Sequence, residues 1–112
     1  MTSRSRKLLF DVQESGRSIQ SWCAGRSFAE YELDRQFRRA VEREFEIIGE
    51  ALNRVSRTDP ILAARITELL QIVGFRNRII HGYDTVDNAM VWGVIEARLP
   101  RLMAEVDREI SE

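Results

Sequence analysis

The stretch DRQFRRAVEREFEIIGEALNRVSR, residues 34–57, decides the fold of this 112-residue chain. At about 100° per residue its apolar side chains share an arc of about 120°, which is typical of an amphipathic α-helix. These side chains are Phe37, Val41, Phe45, Ile48, Ala51, Leu52 and Val55. Glu44 falls inside this arc, while six charges lie opposite and mostly compensate one another. These six are Arg39, Glu42, Arg43, Glu46, Glu50 and Arg54. The stretch therefore predicts a long helix with one buried face.

The segment before this helix carries a weaker pattern of the same kind. Within residues 4–24 the apolar positions near one helical face are Leu8, Val12, Ile19 and Cys23. Ser15 and Gly16 weaken the middle of this pattern. After a break at residues 25–26, Ser27 and Glu30 have the spacing of a capping box. We therefore expect one long helix and then a short one.

The segment after residue 57 begins with a helix-start signal. Asp59 suits the N-cap and Pro60 suits the first helical position, where its missing N–H costs nothing. An apolar stripe then predicts one helix from residue 61 to residue 81, and Gly74 within it marks a kink or a close helix approach. Gly82 is expected to end this helix in the left-handed conformation.

The last segment predicts one more helix, which Asp87 caps. Its apolar positions are Val91, Ile95, Leu99, Leu102 and Val106. Pro100 should kink or interrupt it at residues 96–99. Four principal helices with short connections predict an all-α, antiparallel up-and-down four-helix bundle, with one short extra helix, as a single domain over residues 1–112.

Composition excludes several classes of protein. Six Gly and two Pro are too few for an all-β sandwich or barrel, and no apolar run is long enough to span a membrane. One Cys and one His cannot build a zinc finger, so no metal or other cofactor is expected. With a net charge of −1, any site for a polyanion must be local. We expect a cytoplasmic protein that makes no membrane contact, because the single Cys23 fits a reducing compartment and no signal peptide is apparent.

Residues 75–84, FRNRIIHGYD, place several potentially reactive side chains near one helix end. Arg76 supplies fixed positive charge for a phosphodiester, and the only histidine, His81, can exchange a proton near neutral pH. Together they suit attack of a ribose 2′-hydroxyl on the adjacent phosphate, which needs no metal. Arg76 and His81 differ by about 140° on a straight helix, and one histidine cannot be both acid and base. A homodimer that brings two His81 side chains to one cleft removes both difficulties.

Structural interpretations stay open at this point. His81 suits a helix C-terminus because the dipole favours a cation there. Arg76 and Arg78 could pair with Glu68, Asp84 or another carboxylate. On this interpretation the chain is a helical oligomerisation protein without catalytic activity.

The order of the residues nevertheless resembles a known signature. Arg76, four residues, and then His81-Gly82-Tyr83 resemble the Arg-x4-His-x-Tyr motif of the HepT-like branch of the HEPN superfamily. Residues 39–43 and 47–51 look like that family's second helix, and residues 73–77, together with residues 91–92 and 99–100, look like later landmarks. One departure is Glu68-Leu69, where relatives have a Pro-Trp pair, so local packing before Arg76 is expected to differ.

The resemblance implies a dimeric, all-α toxin that cuts RNA without metal and is encoded beside a minimal nucleotidyltransferase antitoxin. By position, Arg76 would hold the phosphate and His81 would transfer protons. Asn77 and Arg78 would orient the substrate, and Tyr83 would accept AMP from the partner enzyme. The alternative is a non-catalytic, nucleotide- or substrate-binding subunit of a nucleotidyltransferase complex.

Overall fold

The computed structural model describes all 112 residues and contains helices and turns without a β-strand. The helices are α1 (Ser3–Cys23), α2 (Phe28–Leu33), α3 (Arg35–Thr58), α4 (Pro60–Ala64), α5 (Leu69–His81), α6 (Asn88–Gly93) and α7 (Leu99–Ser111). A 3₁₀ turn covers Tyr83–Thr85, and a π-helical segment, Val94–Arg98, joins α6 to α7. The prediction of an all-α helical bundle is confirmed.

Helix α3 is the central element of the bundle. It packs against α1 on one side and against α5 on the other, and α1 also contacts α7. Its buried residues include all seven apolar positions that its sequence pattern marks. They belong to a single core of 24 buried apolar residues drawn from every helix. Glu44 lies half-buried at the edge of this core without an ion pair.

Side-chain caps begin most of the helices, and the sequence predicts three of these caps, at Ser27, Asp59 and Asp87. The Ser27 hydroxyl accepts a hydrogen bond from the Glu30 amide, and the Glu30 carboxylate accepts one from the Ser27 amide, so the predicted capping box is present. Asp34, Asp59 and Asp87 cap α3, α4 and α6 through their side chains. None of the helices is long and apolar enough to cross a membrane.

The predicted single helix over residues 61–81 is wrong, because the chain breaks between Ala64 and Leu69. The break is stabilised from α7, where the Glu105 carboxylate accepts hydrogen bonds from the Thr67 amide, the Thr67 hydroxyl and the Glu68 amide at 2.9, 2.7 and 3.2 Å. It supplies the cap that the start of α5 lacks. Arg98 pairs with the buried Glu68 at 3.1 Å. These polar contacts join α5 to α7.

The break also turns two apolar residues outward. Ile61 and Leu70 belong to the predicted stripe, yet both are exposed. Residues 65–68 do not continue the helix, so the stripe of α5 is rotated relative to that of α4.

The interruption expected before Pro100 is present as the π-helical segment. Proline has no N–H to donate and its ring crowds the preceding turn, so the helix widens there. The Leu99 amide accordingly donates to the Val94 carbonyl, five residues back. Val94 and Ile95 stay buried through the widened turn, which keeps the helix in contact with the core.

Gly49 sets the distance between α3 and α5. A Cβ atom placed on Gly49 would lie 2.3 Å from the Arg76 Cβ and 2.4 Å from its Cγ, closer than such atoms can approach. The Arg76 Cβ is fixed to the α5 backbone and cannot swing aside. Only glycine therefore permits this spacing of the two helices.

We expect Gly49→Ala to lower the free energy of unfolding by about 1–3 kcal/mol, although alanine is the better helix former, because the helices must separate. Gly93→Ala is the matched control, since Gly93 is helical and has open space around it. That change should raise stability by up to about 1 kcal/mol. Urea unfolding of both variants measures the difference. Equal effects would show that the α3–α5 spacing does not depend on Gly49.

The Glu105 cap leads to a second prediction, which concerns the pH dependence of stability. Burial alone would raise the pKa of Glu105, but hydrogen bonds from Thr67 and the Glu68 amide hold it below its ordinary value of 4.5. Glu105→Ala should lower the free energy of unfolding by about 1–2 kcal/mol at pH 7. Because the folded pKa is depressed, this difference should shrink as the pH falls below 4.5. Glu96→Ala, which removes an exposed carboxylate without a partner, should change stability little at either pH.

Candidate functional site

The last two turns of α5 and the 3₁₀ turn after it carry the predicted site residues. Arg78 donates to the Thr85 carbonyl at 2.8 Å, and the Thr85 hydroxyl donates to the Gly82 carbonyl at 2.7 Å. These bonds fix the segment that bears Tyr83. Gly82 has a φ of −133°, so the expected left-handed end of the helix is wrong. The chain enters the 3₁₀ turn directly, and Gly82 closes α5 by donating to the Arg78 carbonyl at 2.8 Å.

Arg76 is buried and points toward α3. Its side chain crosses over Gly49, and one terminal nitrogen donates to the Glu50 carboxylate at 3.2 Å. Its Nε is buried without a hydrogen-bond partner. Of the pairing alternatives left open by the sequence, the structure selects a carboxylate of α3 and neither Glu68 nor Asp84.

Glu50 joins two arginines at the surface of α3. It also accepts a hydrogen bond from Arg54 Nε at 2.9 Å. The Arg54 hydrogen bond is the main cause that lowers the pKa of Glu50, and the charge of Arg76 adds to it. Glu50 therefore has a cationic partner in Arg54 that does not depend on Arg76.

His81 and Asn77 are exposed on the opposite side of α5 from the core. His81 lies in the last helical turn beside Arg78, where the helix dipole favours cationic side chains. No hydrogen bond joins His81 to Asn77 or to Arg76 within the chain. A single protomer therefore presents the two predicted reactive side chains in different directions and does not assemble them.

The surface of α5 between the directions of Arg76 and His81, and just beyond His81, is exposed to solvent. At about 100° per residue, Ile80 and Asn77 lie between Arg76 and His81 around the helix. Leu70, Gly74, Asn77 and His81 follow one another at spacings of four, three and four. All four are exposed, Leu70 to 78%, and a Cβ on Gly74 would meet nothing within 4 Å. We call these four residues the α5 face.

Tyr83 is 77% exposed and lines a cavity between α3 and the end of α5. Its hydroxyl makes no hydrogen bond to the protein, so the phenol is accessible to a second macromolecule. No cluster of three His, Cys, Asp or Glu side chains is arranged to hold a metal ion.

Gly49 and Glu50 are the site residues that sequence reasoning missed. The sequence did carry a signal for both residues. A glycine inside the strongest helical pattern of the chain indicates that another helix approaches closely, and the carboxylate that follows it, beside the apolar arc, could pair with a cation on that helix. The pattern does not state which residue approaches, because Arg76 is 26 residues farther along the chain.

The comparisons with known proteins identify the family of the chain. Residues 12–109 match the family model described as ribonuclease HepT-like. The chain is 30% identical over 99 residues to the protein named "Putative RNase MJ1380" of Methanocaldococcus jannaschii, with 88% of this chain and 90% of that protein covered. It is 27% identical over 104 residues to "Probable ribonuclease HepT" of Thermococcus cleftensis, covering 89% and 90% of the two chains.

A second Methanocaldococcus jannaschii protein, "Putative RNase MJ0127", is 24% identical over 107 residues, with 96% of this chain and 88% of that protein covered. No solved structure matches the chain. The family match spans all the helices that position Arg76, His81 and Tyr83, and it confirms the resemblance noted in the sequence: the chain belongs to the ribonuclease HepT-like family.

Proposed function

We propose that this chain is a metal-independent endoribonuclease toxin whose site forms across a homodimer. The observation that carries the proposal is the arrangement of α5, which holds the Arg76 guanidinium against α3 and presents His81 beside an open helix face. The names of its relatives, which call them ribonucleases, support an activity on RNA. A cognate minimal nucleotidyltransferase acts as antitoxin, and the complex works in the cytoplasm.

The reaction is a transfer within the RNA strand. One His81 takes the proton of a ribose 2′-hydroxyl, the 2′-oxygen forms a bond to the adjacent phosphorus, and the bond from phosphorus to the 5′-oxygen breaks. The second His81 donates a proton to that leaving oxygen. The products are a 2′,3′-cyclic phosphate and a 5′-hydroxyl, and no metal takes part.

Arg76 binds the phosphate and offsets the charge that builds up on it. To do so it exchanges Glu50 for a phosphate oxygen, and Glu50 stays paired with Arg54. No carboxylate is left without a partner by this exchange, which lowers its cost. Asn77, on the exposed surface between Arg76 and His81, orients the substrate, and Arg78 holds the 3₁₀ turn while lining the approach.

The α5 face supplies the dimer contact. An exposed leucine and a glycine with open space are unfavourable on an isolated helix, and both are explained if a second copy packs there. Glycine allows the partner to approach closely. The same face ends at His81, so packing of two copies through it brings the histidines toward one cleft.

Tyr83 is the point of control. Nucleotidyl transfer joins its hydroxyl oxygen to the α-phosphorus of ATP, releases pyrophosphate and loses the phenol proton. The attached group adds bulk and negative charge two residues from His81, at the end of α5 that RNA must approach, and so it inhibits cleavage. The exposure of Tyr83 supports this assignment.

Replacement of the reactive groups tests the activity. His81→Ala and Arg76→Ala should each lower the rate of RNA cleavage by at least about 100-fold in the presence of a metal chelator, while the dimer stays folded. Gln71→Ala, an exposed change on the same helix, should leave the rate unchanged. Cleavage that persists in His81→Ala protein would remove the proton-transfer role. Wild-type protein that binds the transferase but cuts no RNA would favour the non-catalytic alternative.

A larger side chain on the α5 face tests whether this face forms the dimer contact. Gly74→Leu should weaken dimerisation at least about tenfold and reduce cleavage in parallel, because the side chain blocks the approach of the partner helix. Gly93→Leu places the same side chain at another open helical glycine and should leave both properties unchanged. Sedimentation equilibrium measures the dimer constants. Equal behaviour of the two variants would place the interface elsewhere.

A further inference from the structure

A cavity of about 390 Å³ lies between the start of α3 and the end of α5. This volume falls within the range of small-ligand pockets, about 300–1,000 Å³. Arg38, Arg39 and Glu42 line it from α3, and Ile79 and Val86 provide an apolar wall opposite. A pocket with an apolar wall and clustered guanidiniums suits a planar base attached to a phosphate.

Arg38 and Arg39 differ in their hydrogen-bond partners. Arg38 donates to the carbonyls of Tyr31 and Glu32 at the end of α2, which fixes it as part of the wall. Arg39 is mostly exposed and pairs only with Glu42, at 3.0 and 3.2 Å, within its own helix. The Arg39 side chain is 58% exposed and that of Glu42 23%, and a surface pair within one helix contributes little to stability, so a phosphate can replace Glu42 on Arg39 at small cost.

Tyr83 connects this cavity to the proposed function. It is one of the lining residues, and it is largely exposed. A nucleotide joined to the Tyr83 hydroxyl therefore starts at the edge of the cavity, with its single phosphate charge beside the α3 guanidiniums. Asn88 adds an amide that can hydrogen-bond a base or ribose.

We propose that this cavity is a nucleotide subsite, which holds the nucleoside monophosphate group attached to Tyr83 with its phosphate on Arg39 and its base against Ile79 and Val86. The assignment of the group to Tyr83 rests on the proposed function. Binding in the cavity fixes the group over the end of α5 and keeps it from rotating freely into solvent. The inhibited state is thereby stabilised by this chain's own residues.

The binding test uses AMP alone as the probe, titrated into the full-length protein and followed by amide NMR shifts. Shifts should appear at Ile79, Val86 and Asn88. Arg39→Ala should weaken binding about tenfold, and Glu42→Gln should tighten it severalfold because the competing carboxylate is gone. Arg35→Ala, which removes an exposed guanidinium one turn away that does not line the cavity, should change the affinity less than about twofold.

The opposite signs expected for Arg39→Ala and Glu42→Gln separate a binding role from a structural one. Absence of shifts at these amides up to about 10 mM AMP would overturn the subsite. So would equal weakening by Arg35→Ala and Arg39→Ala, since that result indicates nonspecific charge attraction.

A second experiment identifies the source of the nucleotide. For a group attached to Tyr83, Arg39→Ala should leave RNA cleavage by unmodified protein unchanged, and a phosphodiesterase should remove AMP from Tyr83 faster than in Arg35→Ala protein. A raised KM for RNA in Arg39→Ala protein would overturn the attached-group assignment in favour of a substrate nucleotide.

The two proposals fail separately. AMP binding is measured without any cleavage, so protein that binds AMP and cuts no RNA contradicts the nuclease alone. Protein that cuts RNA and shows no AMP shifts contradicts the subsite alone.

Discussion

The contact of α3 with α5 at Gly49 is the constraint on which the rest of the structure depends. Because this position has no side chain, the Arg76 stem lies directly on the α3 backbone and its guanidinium reaches Glu50. The buried face of α5 is thereby fixed, and its opposite face, with Asn77 and His81, must point outward. One steric requirement thus decides both where the cation is held and which surface remains for a partner.

Polar contacts between residues far apart in the chain fix the start of α5. Glu105 of α7 caps the start of α5, and the buried Glu68 binds Arg98, so the break before α5 has a fixed geometry. The break sets the rotation of α5 and hence the direction of its exposed face. Stability and the proposed function are therefore linked through the same helix, since loosening the start of α5 would rotate Asn77 and His81 relative to α3.

The sequence predicts best what depends on neighbours along the chain. Helix α3, the Asp59 and Asp87 caps and the Ser27–Glu30 box follow from local spacing, and all of them are present. The break at residues 65–68 was missed because its stabilising carboxylate lies some 38 residues away. The partner of Arg76 was missed for the same reason. The candidate site residues were named by the family signature, and the second chain that we propose to bring them together is not described by any local pattern.

The central claim is that two His81 side chains serve one cleft, one as base and the other as acid. The most direct test is the cleavage rate of a purified heterodimer, made with two affinity tags, that joins one wild-type chain to one His81→Ala chain. If both histidines are needed, this heterodimer should cut RNA at least about 100-fold more slowly than the wild-type dimer. A heterodimer that retains about half of the wild-type rate would contradict the account, because each histidine would then act alone.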